Sequence, residues 1–214
     1  GSPFEAAEIG MAGYPAFDAL DASARDSFAW GYLSWHASQF LHGEQGALIV
    51  ASQLITCAPD MPSKLYAASQ AFDEARHVEV YKRYLEVRGL ATYPINRSLN
   101  RLLSKILTDE RWDLKFIGMQ IIIESIALAS LTNIRRTCKD KLFNEIVGYV
   151  LRDESRHVNF GIQFLTDHLA TLPKEQLEER ARFCFDACVV MRDRFVPVEV
   201  YQTLGFPMQE VMRH

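Results

Sequence analysis

A seven-residue motif that carries a carboxylate and an imidazole occurs twice in the sequence. The first copy, FDEARHV, occupies residues 72–78, and the second, RDESRHV, occupies residues 152–158. Residues three apart lie on the same face of a helix, so each copy presents one glutamate and one histidine together. Such a pair is a set of oxygen and nitrogen ligands for a metal ion. The pairs are Glu74 with His77 and Glu154 with His157.

Two further glutamates stand in apolar segments, where a charged side chain is unusual. Glu44 lies in GEQGALIVA, and Glu124 lies in QIIIESIALAS. An unpaired buried carboxylate is costly, so each of these must be paired, protonated or bound to a metal. Glu74 follows Glu44 by 30 residues, and Glu154 follows Glu124 by the same interval.

A shift of 80 residues maps one half of this pattern onto the other. One turn before the lone glutamates the shift sets Phe40 against Gln120, so the two halves differ there. The repeat predicts two related helical hairpins that pack antiparallel about a pseudo-twofold axis and bring the two motifs together. The mapped pairs are Glu44 and Glu124, Glu74 and Glu154, His77 and His157, Asp73 and Asp153, and Arg76 and Arg156.

The resulting site has four carboxylates and two imidazoles. One glutamate comes from each of two helices and a Glu-x-x-His pair from each of the other two, which is the ligand set of dinuclear carboxylate bundles. Four ionised carboxylates neutralise two divalent metals, and without metal their repulsion raises some of the glutamate pKa values. This ligand set suits iron or manganese better than zinc alone. The alternative is a bundle that keeps the pattern without binding a metal.

Residues near the ligands are expected to hold and surround them. A metal-bound imidazole usually donates its remaining N–H to a carboxylate, so Asp73 and Asp153 are predicted to accept from the histidine of the opposite hairpin. Arg76 and Arg156 are predicted to pair with those aspartates. The residues expected around the metals are Phe40, Ala47, Leu48, Tyr81, Gln120, Ala127, Leu128 and Gly161.

With these motifs, residues 21–171 resemble the ferritin-like di-iron superfamily, and the doubled DExRH is similar to that of the hydroxylase subunits of bacterial multicomponent monooxygenases. The resemblance implies a ferritin-like four-helix bundle with additional helices. The implied activity is that of a non-haem di-iron oxygenase or oxidase, which activates O2 to oxidise a small organic substrate. Such an enzyme draws electrons from a donor such as a reductase or a ferredoxin, and long bundles of this kind often form homodimers. The implied ligands of two iron ions, or of a mixed manganese–iron pair, are Glu44, Glu74, His77, Glu124, Glu154 and His157.

Three positions depart from the patterns of related groups. Monooxygenases and acyl-carrier desaturases have a threonine about one turn after the third-helix glutamate, where this chain has Ala127 and Leu128. Arylamine N-oxygenases have an extra histidine ligand one turn before the last glutamate, where this chain has Val150. The substrate and the reaction type, whether hydroxylation, desaturation or N-oxygenation, therefore stay open.

Two other functions fit the same ligands. One is a ferroxidase or iron store similar to ferritin or bacterioferritin, which would assemble into a hollow cage. The other is a radical generator that resembles the small subunit of ribonucleotide reductase and uses Tyr81, one turn after His77. Tyr81 could instead hydrogen-bond a ligand or fill the core, and core packing is the usual role of an aromatic residue at helical spacing.

Long helices are predicted to carry these ligands, since the apolar residues recur with helical period and no segment alternates as a strand does. The chain 1–214 is expected to form a single all-α domain, with the core bundle over about 21–171, an extra helix and an irregular tail over 197–214. Ser63 is predicted as a helix N-cap. The expected helices are 21–57, 63–88, 96–107, 109–137, 139–171 and 174–195.

Composition and charge argue against several partners. The formal charge of −4 and the pI near 5.9 leave no basic field for nucleic acid. We find no uncharged run of about 18 apolar residues and no signal pattern, which predicts a soluble, cytoplasmic protein without a membrane span. The four cysteines are too few and too scattered for a disulfide framework, so reduced thiols are expected.

Overall fold

The computed structural model describes residues 1–192 and 196–214, and all regular secondary structure within them is helical. The all-α prediction is therefore confirmed. Shorter helices lie at Ala6–Ile9, Pro15–Asp18, Val198–Gln202 and Met208–Val211. The longer helices are α1 (Ala22–Cys57), α2 (Met61–Arg88), α3 (Arg97–Thr108), α4 (Trp112–Thr137), α5 (Lys141–Leu169) and α6 (Lys174–Met191).

Aspartates begin three of the helices that carry the predicted ligands. The side chains of Asp21, Asp60 and Asp140 each accept a backbone N–H from the first turn of α1, α2 and α5. This hydrogen bond satisfies a donor that the start of a helix leaves without a partner. Ser63 lies inside α2 and donates its backbone N–H to Asp60 at 2.8 Å, so the prediction of Ser63 as the N-cap is wrong.

Helix α4 changes type directly before Glu124. Residues Ile117–Ile123 form a π-helix, which α-helical turns precede at Trp112–Phe116 and follow at Glu124–Thr137. π-Helical segments are rare and are frequent at functional sites. Helix α4 begins later than predicted, because residues 109–111 are not helical and the side chain of Asp109 accepts the backbone N–H of Arg111.

Helix α4 is also long and apolar. The sequence predicts no membrane span, but by length and composition alone Trp112–Thr137 would be able to cross a membrane. The most apolar 18-residue stretch of this helix is 61% buried inside the protein. A core helix meets the same criterion, and α4 carries the buried Glu124 in the interior.

The helices that carry the predicted ligands pack as two consecutive pairs. Helix α1 packs along α2 and α4 along α5, each pair being joined by three residues, 58–60 and 138–140. The pairs meet where α2 contacts α5 and where α1 contacts the π-helical part of α4. Along α1, Phe40 belongs to one hydrophobic cluster and Ala47 to another, so Glu44 lies between the two.

Helix α3 connects the pairs and packs closely on both. An ideal Cβ at Gly46 of α1 would lie 2.5 Å from Leu103 Cδ2, and one at Gly118 of α4 would lie 2.5 Å from Ile106 Cγ1. Only a residue without a side chain permits such an approach. The two glycines therefore let α3 lie directly against the helices that carry Glu44 and Glu124.

The C-terminal part of the chain is more ordered than predicted. Helix α6 ends at Met191, and the rest of the predicted 174–195 helix includes residues 193–195, which lie outside the described residues. The tail is not irregular throughout, since it forms two short helices. Val200 and Tyr201 are buried, and Trp35 Nε1 of α1 donates to Glu199 Oε2 at 2.9 Å. These contacts hold the tail against α1.

Candidate metal centre

The six predicted ligands come together in the interior. Helix α1 and helix α4 each supply one glutamate, and α2 and α5 each supply a glutamate and a histidine. The negative charge of four buried carboxylates requires neutralisation by protons, by cationic partners or by a metal. Glu44, Glu74, His77, Glu124, Glu154 and His157 are all buried, and none exposes more than 7% of its surface.

These side chains form two overlapping groups, each of which could hold a metal ion. Within each group one ligand atom per residue lies within 4.8 Å of the others. Both groups contain Glu74 and Glu154, so the groups lie side by side and share two carboxylates. The first group is Glu44, Glu74, His77 and Glu154, and the second is Glu74, Glu124, Glu154 and His157.

His77 turns one ring nitrogen toward the carboxylates and the other away from them. Its Nδ1 lies 3.1, 3.2 and 3.4 Å from the nearest oxygens of Glu154, Glu74 and Glu44. One ring nitrogen carries at most one hydrogen, so it cannot donate to three carboxylates. Its Nε2 lies 3.2 Å from Asp153 Oδ2. Donation from Nε2 to Asp153 leaves the Nδ1 lone pair available to a metal.

His157 repeats this arrangement in the other pair of helices. Its Nδ1 lies 3.3 Å from Glu74, 3.4 Å from Glu154 and 3.8 Å from Glu124. Its Nε2 lies 3.3 Å from Asp73 Oδ2. Each histidine thus contacts the aspartate of the opposite pair of helices, as the sequence predicts.

Arg76 and Arg156 each bridge the two aspartates. Arg76 Nη2 lies 2.5 Å from Asp73 Oδ1 and 3.2 Å from Asp153 Oδ2. Arg156 Nη2 lies 3.1 Å from Asp73 Oδ2 and also contacts Asp153 Oδ1. Burial would raise the pKa of Asp153, but the hydrogen bonds from Arg156 and His77 lower it. Asp153 therefore stays ionised and can accept from the imidazole.

The carboxylates and imidazoles shift one another's pKa values. Burial raises the pKa of Glu44 and of Glu124, and the charge of Glu154 raises both further. Burial also opposes ionisation of Glu154, but hydrogen bonds from His157 and His77 outweigh it and lower the pKa of that carboxyl. Burial disfavours the charged imidazoles, yet hydrogen bonds to the carboxylates raise the pKa of both histidines. Without a metal, protons therefore neutralise much of the cluster.

The donor set and its unmet hydrogen bonds fit a metal ion. Glu124 Oε2 is buried and has no hydrogen-bond partner among the described residues. An unsatisfied buried polar atom costs about 1–3 kcal/mol, and more when it is charged. Carboxylate oxygens and imidazole nitrogens are ligands of divalent metal ions, and a ligand histidine typically has its second ring nitrogen hydrogen-bonded to a carboxylate, as both histidines do here.

Gln70 is a polar residue of this site that the sequence reasoning missed. It is buried one turn before Glu74, and its Nε2 donates to Glu74 Oε1 at 3.0 Å and to Glu124 Oε1 at 2.5 Å. Gln120, which the sequence places in the site, donates from Nε2 to Gln70 Oε1 at 2.8 Å. The signal for Gln70 was its position on the ligand face of α2, one turn from Glu74.

Tyr81 lies on the other side of the site and contacts Phe40. The two rings are stacked with centroids 5.7 Å apart. Tyr81 is fully buried, and its hydroxyl has no hydrogen-bond partner among the residues described. Burial, and then the charge of Glu44, raises the pKa of this tyrosine. Tyr81 thus fills the core beside the first ligand group, and among the described residues no hydrogen bond joins its hydroxyl to a ligand.

A small cavity borders the ligands. Its volume is about 20 Å³, close to the space that one water molecule needs. Of the residues expected around the metals, Phe40, Ala47 and Ala127 line it, whereas Leu48 does not and Leu128 lines a surface groove between α4 and α5. The other lining residues are Gln39, Gly43, Glu44, Leu99, Ile123, Glu124 and Glu154.

No known family model matches this sequence, and no curated protein matches it. The class of the protein is therefore inferred from its own residues and their geometry.

Proposed function

We propose that this chain is a ferritin-like, non-haem di-iron oxygenase or oxidase that uses O2 to oxidise a small organic substrate. The observation that supports it most is that both ligand groups contain Glu74 and Glu154. Two ions would then be held together, one by Glu44 and His77 and the other by Glu124 and His157, with the shared glutamates as common ligands. Four carboxylates match the charge of two divalent ions.

Iron, or a mixed manganese–iron pair, bound at these residues would supply electrons for the reduction of O2, with further electrons from a donor such as a reductase or a ferredoxin. The chain itself contributes orientation and exclusion of water. Asp73 and Asp153 accept hydrogen bonds from Nε2–H of His157 and His77, so that the Nδ1 atoms of both histidines face the site. The apolar lining of the cavity, which includes Phe40, limits the access of water to the carboxylates.

Two alternatives have specific support. A cavity of about 20 Å³ accepts a molecule the size of water or O2 but no organic substrate, which favours a ferroxidase that oxidises iron itself. In the proposed oxygenase or oxidase, Phe40 or Leu99 would have to move before an organic substrate could enter the cavity. The burial of Tyr81 close to Glu44 is the observation that favours a radical generator. That function predicts a tyrosyl radical signal that is lost in Tyr81→Phe.

The decisive experiment is anaerobic loading with ferrous iron, followed by metal counting and rapid mixing with O2. We expect two irons per chain and O2 consumption that an oxidisable substrate accelerates. A ferric mineral of many irons per chain would mean iron storage. No bound metal would refute all three functions.

Glu154→Ala tests the shared ligand directly. Because Glu154 belongs to both groups, its removal should abolish stoichiometric metal binding while the helical content is kept. The matched control is Glu79→Ala on α2, since Glu79 is exposed and forms an ion pair with Arg83, at 3.8 Å. This control should bind metal as the wild type does. Full metal binding by Glu154→Ala would contradict the assignment.

A further inference from the structure

The two ligand groups have equivalent ligands but different neighbours. Under the 80-residue shift, Gln70 corresponds to Val150, Gln120 to Phe40 and Gly161 to Tyr81. The second group, with Glu124 and His157, therefore lies beside two amides. The first group, with Glu44 and His77, lies beside the rings of Phe40 and Tyr81. Val150 belongs to the same hydrophobic cluster as these two rings. All six of these residues are buried or closely packed.

We infer that the two metal positions are unequal, and that the amide pair Gln70–Gln120 makes the position at Glu124 and His157 the first to fill. This inference rests on the proposed dinuclear centre. Gln70 is assigned as a positioning residue: it contacts carboxylate ligands and acts on the metal through them.

Gln70 fixes two of the ligands of the second position before any metal is present. Its Nε2 donates to Glu74 Oε1 and to Glu124 Oε1. Glu74 Oε1 is also the oxygen that lies 3.3 Å from His157 Nδ1. A ligand that is already held in place loses less conformational freedom when the ion binds. The amide is neutral, so it orients the carboxylates without repelling a cation.

Gln120 fixes the orientation of Gln70 in turn. Because Gln120 donates to Gln70 Oε1, the NH2 end of Gln70 must face the carboxylates. Gly161 provides the space for this arrangement, since an ideal Cβ at Gly161 would lie 2.6 Å from Gln120 Cβ. In the other half, Tyr81 occupies the position equivalent to Gly161, and its ring packs on Phe40.

Glu44 has no such support. Within residues 1–192 and 196–214, the hydrogen bonds and ion pairs described for its carboxylate involve His77 alone, at 3.4 Å. The equivalents of the two glutamines, Val150 and Phe40, have no polar hydrogen to donate. Glu44 also borders the cavity and is the most exposed of the four glutamates, at 7%. The first position must therefore order its own carboxylate when a metal binds, and it should fill second and exchange faster.

The test is partial loading of the metal-free full-length protein with Mn²⁺, followed by anomalous diffraction at one ion per chain. We expect density at the Glu124–His157 position and little at the Glu44–His77 position. A calorimetric titration should then show two steps. Equal density at both positions, or density first at Glu44 and His77, would overturn the inference and leave a dinuclear centre standing. Binding of one ion or none at saturation would instead refute the proposed centre.

Gln70→Leu tests the amide itself. Loss of a residue that orients a metal ligand typically lowers metal affinity about 10- to 100-fold, and we expect a loss of this size in the tighter step and a smaller loss in the weaker step, which shares only Glu74 with Gln70. The control is Val150→Ala, which loosens packing at the equivalent position without removing a hydrogen bond and should keep the ratio of the two steps. An unchanged ratio in Gln70→Leu would remove the assigned role. The wild-type diffraction result stands independently of whether this variant folds.

Discussion

Replacing Gly161 by alanine should destabilise the contact between α4 and α5. The new Cβ would lie 2.6 Å from Gln120 Cβ and 3.4 Å from Ile121 Cδ1. Carbon atoms pack best at about 3.5–4.0 Å, so the first distance is a steric overlap. Gln120 Cβ is bonded directly to the helix backbone and cannot rotate away. The two helices must therefore shift relative to each other.

Two opposing effects set the magnitude of this change. Overpacking of a buried contact costs about 1–3 kcal/mol. Alanine is favoured over glycine inside a helix by about 1 kcal/mol. The overlap is the larger effect. With about 2 kcal/mol for the overlap, the free energy of unfolding falls by about 1 kcal/mol. For a chain of this length, a loss of about 1 kcal/mol lowers Tm by roughly 2–4 °C.

Gly148→Ala in the same helix is the matched control. Its Cβ would lie 3.3 Å from Arg135 Cζ, which is the far end of a flexible side chain that can move. The helix preference then acts almost alone and should raise Tm by roughly 2–4 °C. Thermal unfolding of the metal-free proteins, followed by circular dichroism, measures both changes. If Gly161→Ala melts at or above the wild-type temperature, the overlap does not control this contact.

Three further predictions concern the charged groups. Hydrogen bonds to the carboxylates raise the pKa values of His77 and His157 and so favour the protonated imidazoles in the metal-free protein; metal binding should therefore release protons and weaken as the pH falls, which calorimetry in buffers of different ionisation enthalpy would measure. Proton-neutral binding would contradict these directions. Asp153→Asn should lower metal affinity about 10- to 100-fold with the helical content unchanged, because His77 Nε2 loses its charged acceptor; an affinity equal to that of the wild type would refute this role. Lys115→Met should destabilise the protein by about 1–3 kcal/mol in urea unfolding, because buried Lys115 Nζ donates at 2.7–3.0 Å to Gln53 and to two carbonyls at the end of α3; a neutral effect would mean that these acceptors find other partners.

The repeated motif predicted more of the site than single residues would have done. Helical period placed Glu74 beside His77, and the shift of 80 residues paired each ligand with its equivalent. The contact of His77 with Asp153 followed from the rule that a ligand histidine needs an acceptor for its second nitrogen. These inferences depend on spacing along helices, which the sequence states directly.

Other features depend on contacts that spacing does not express. Gln70 breaks the repeat, since its equivalent is Val150, so the repeat gave no reason to select it. The π-helix at Ile117–Ile123 changes the number of residues per turn, and an apolar run such as GMQIII has the same composition in either form. The sequence predicted Ser63 as the N-cap of α2, whereas the structure has Asp60 there. Both residue types are good N-caps, and only the backbone conformation decides between them.

Each helix pair supplies the aspartate that contacts the histidine of the other pair, and this arrangement has a consequence for the lifetime of the protein. Each helix pair has extensive internal contacts, whereas the contacts between the pairs are fewer and include the charged centre. Metal ions that bind only the assembled four helices would stabilise the assembled state. They would therefore strengthen the junction between the pairs more than the contacts within each pair. Loss of the metal would then weaken this junction while the helices and the contacts of α3 with both pairs persist, and apolar surface exposed when the junction opens would make the chain a substrate for cellular proteases. Turnover of the protein would in this way follow the supply of its metal.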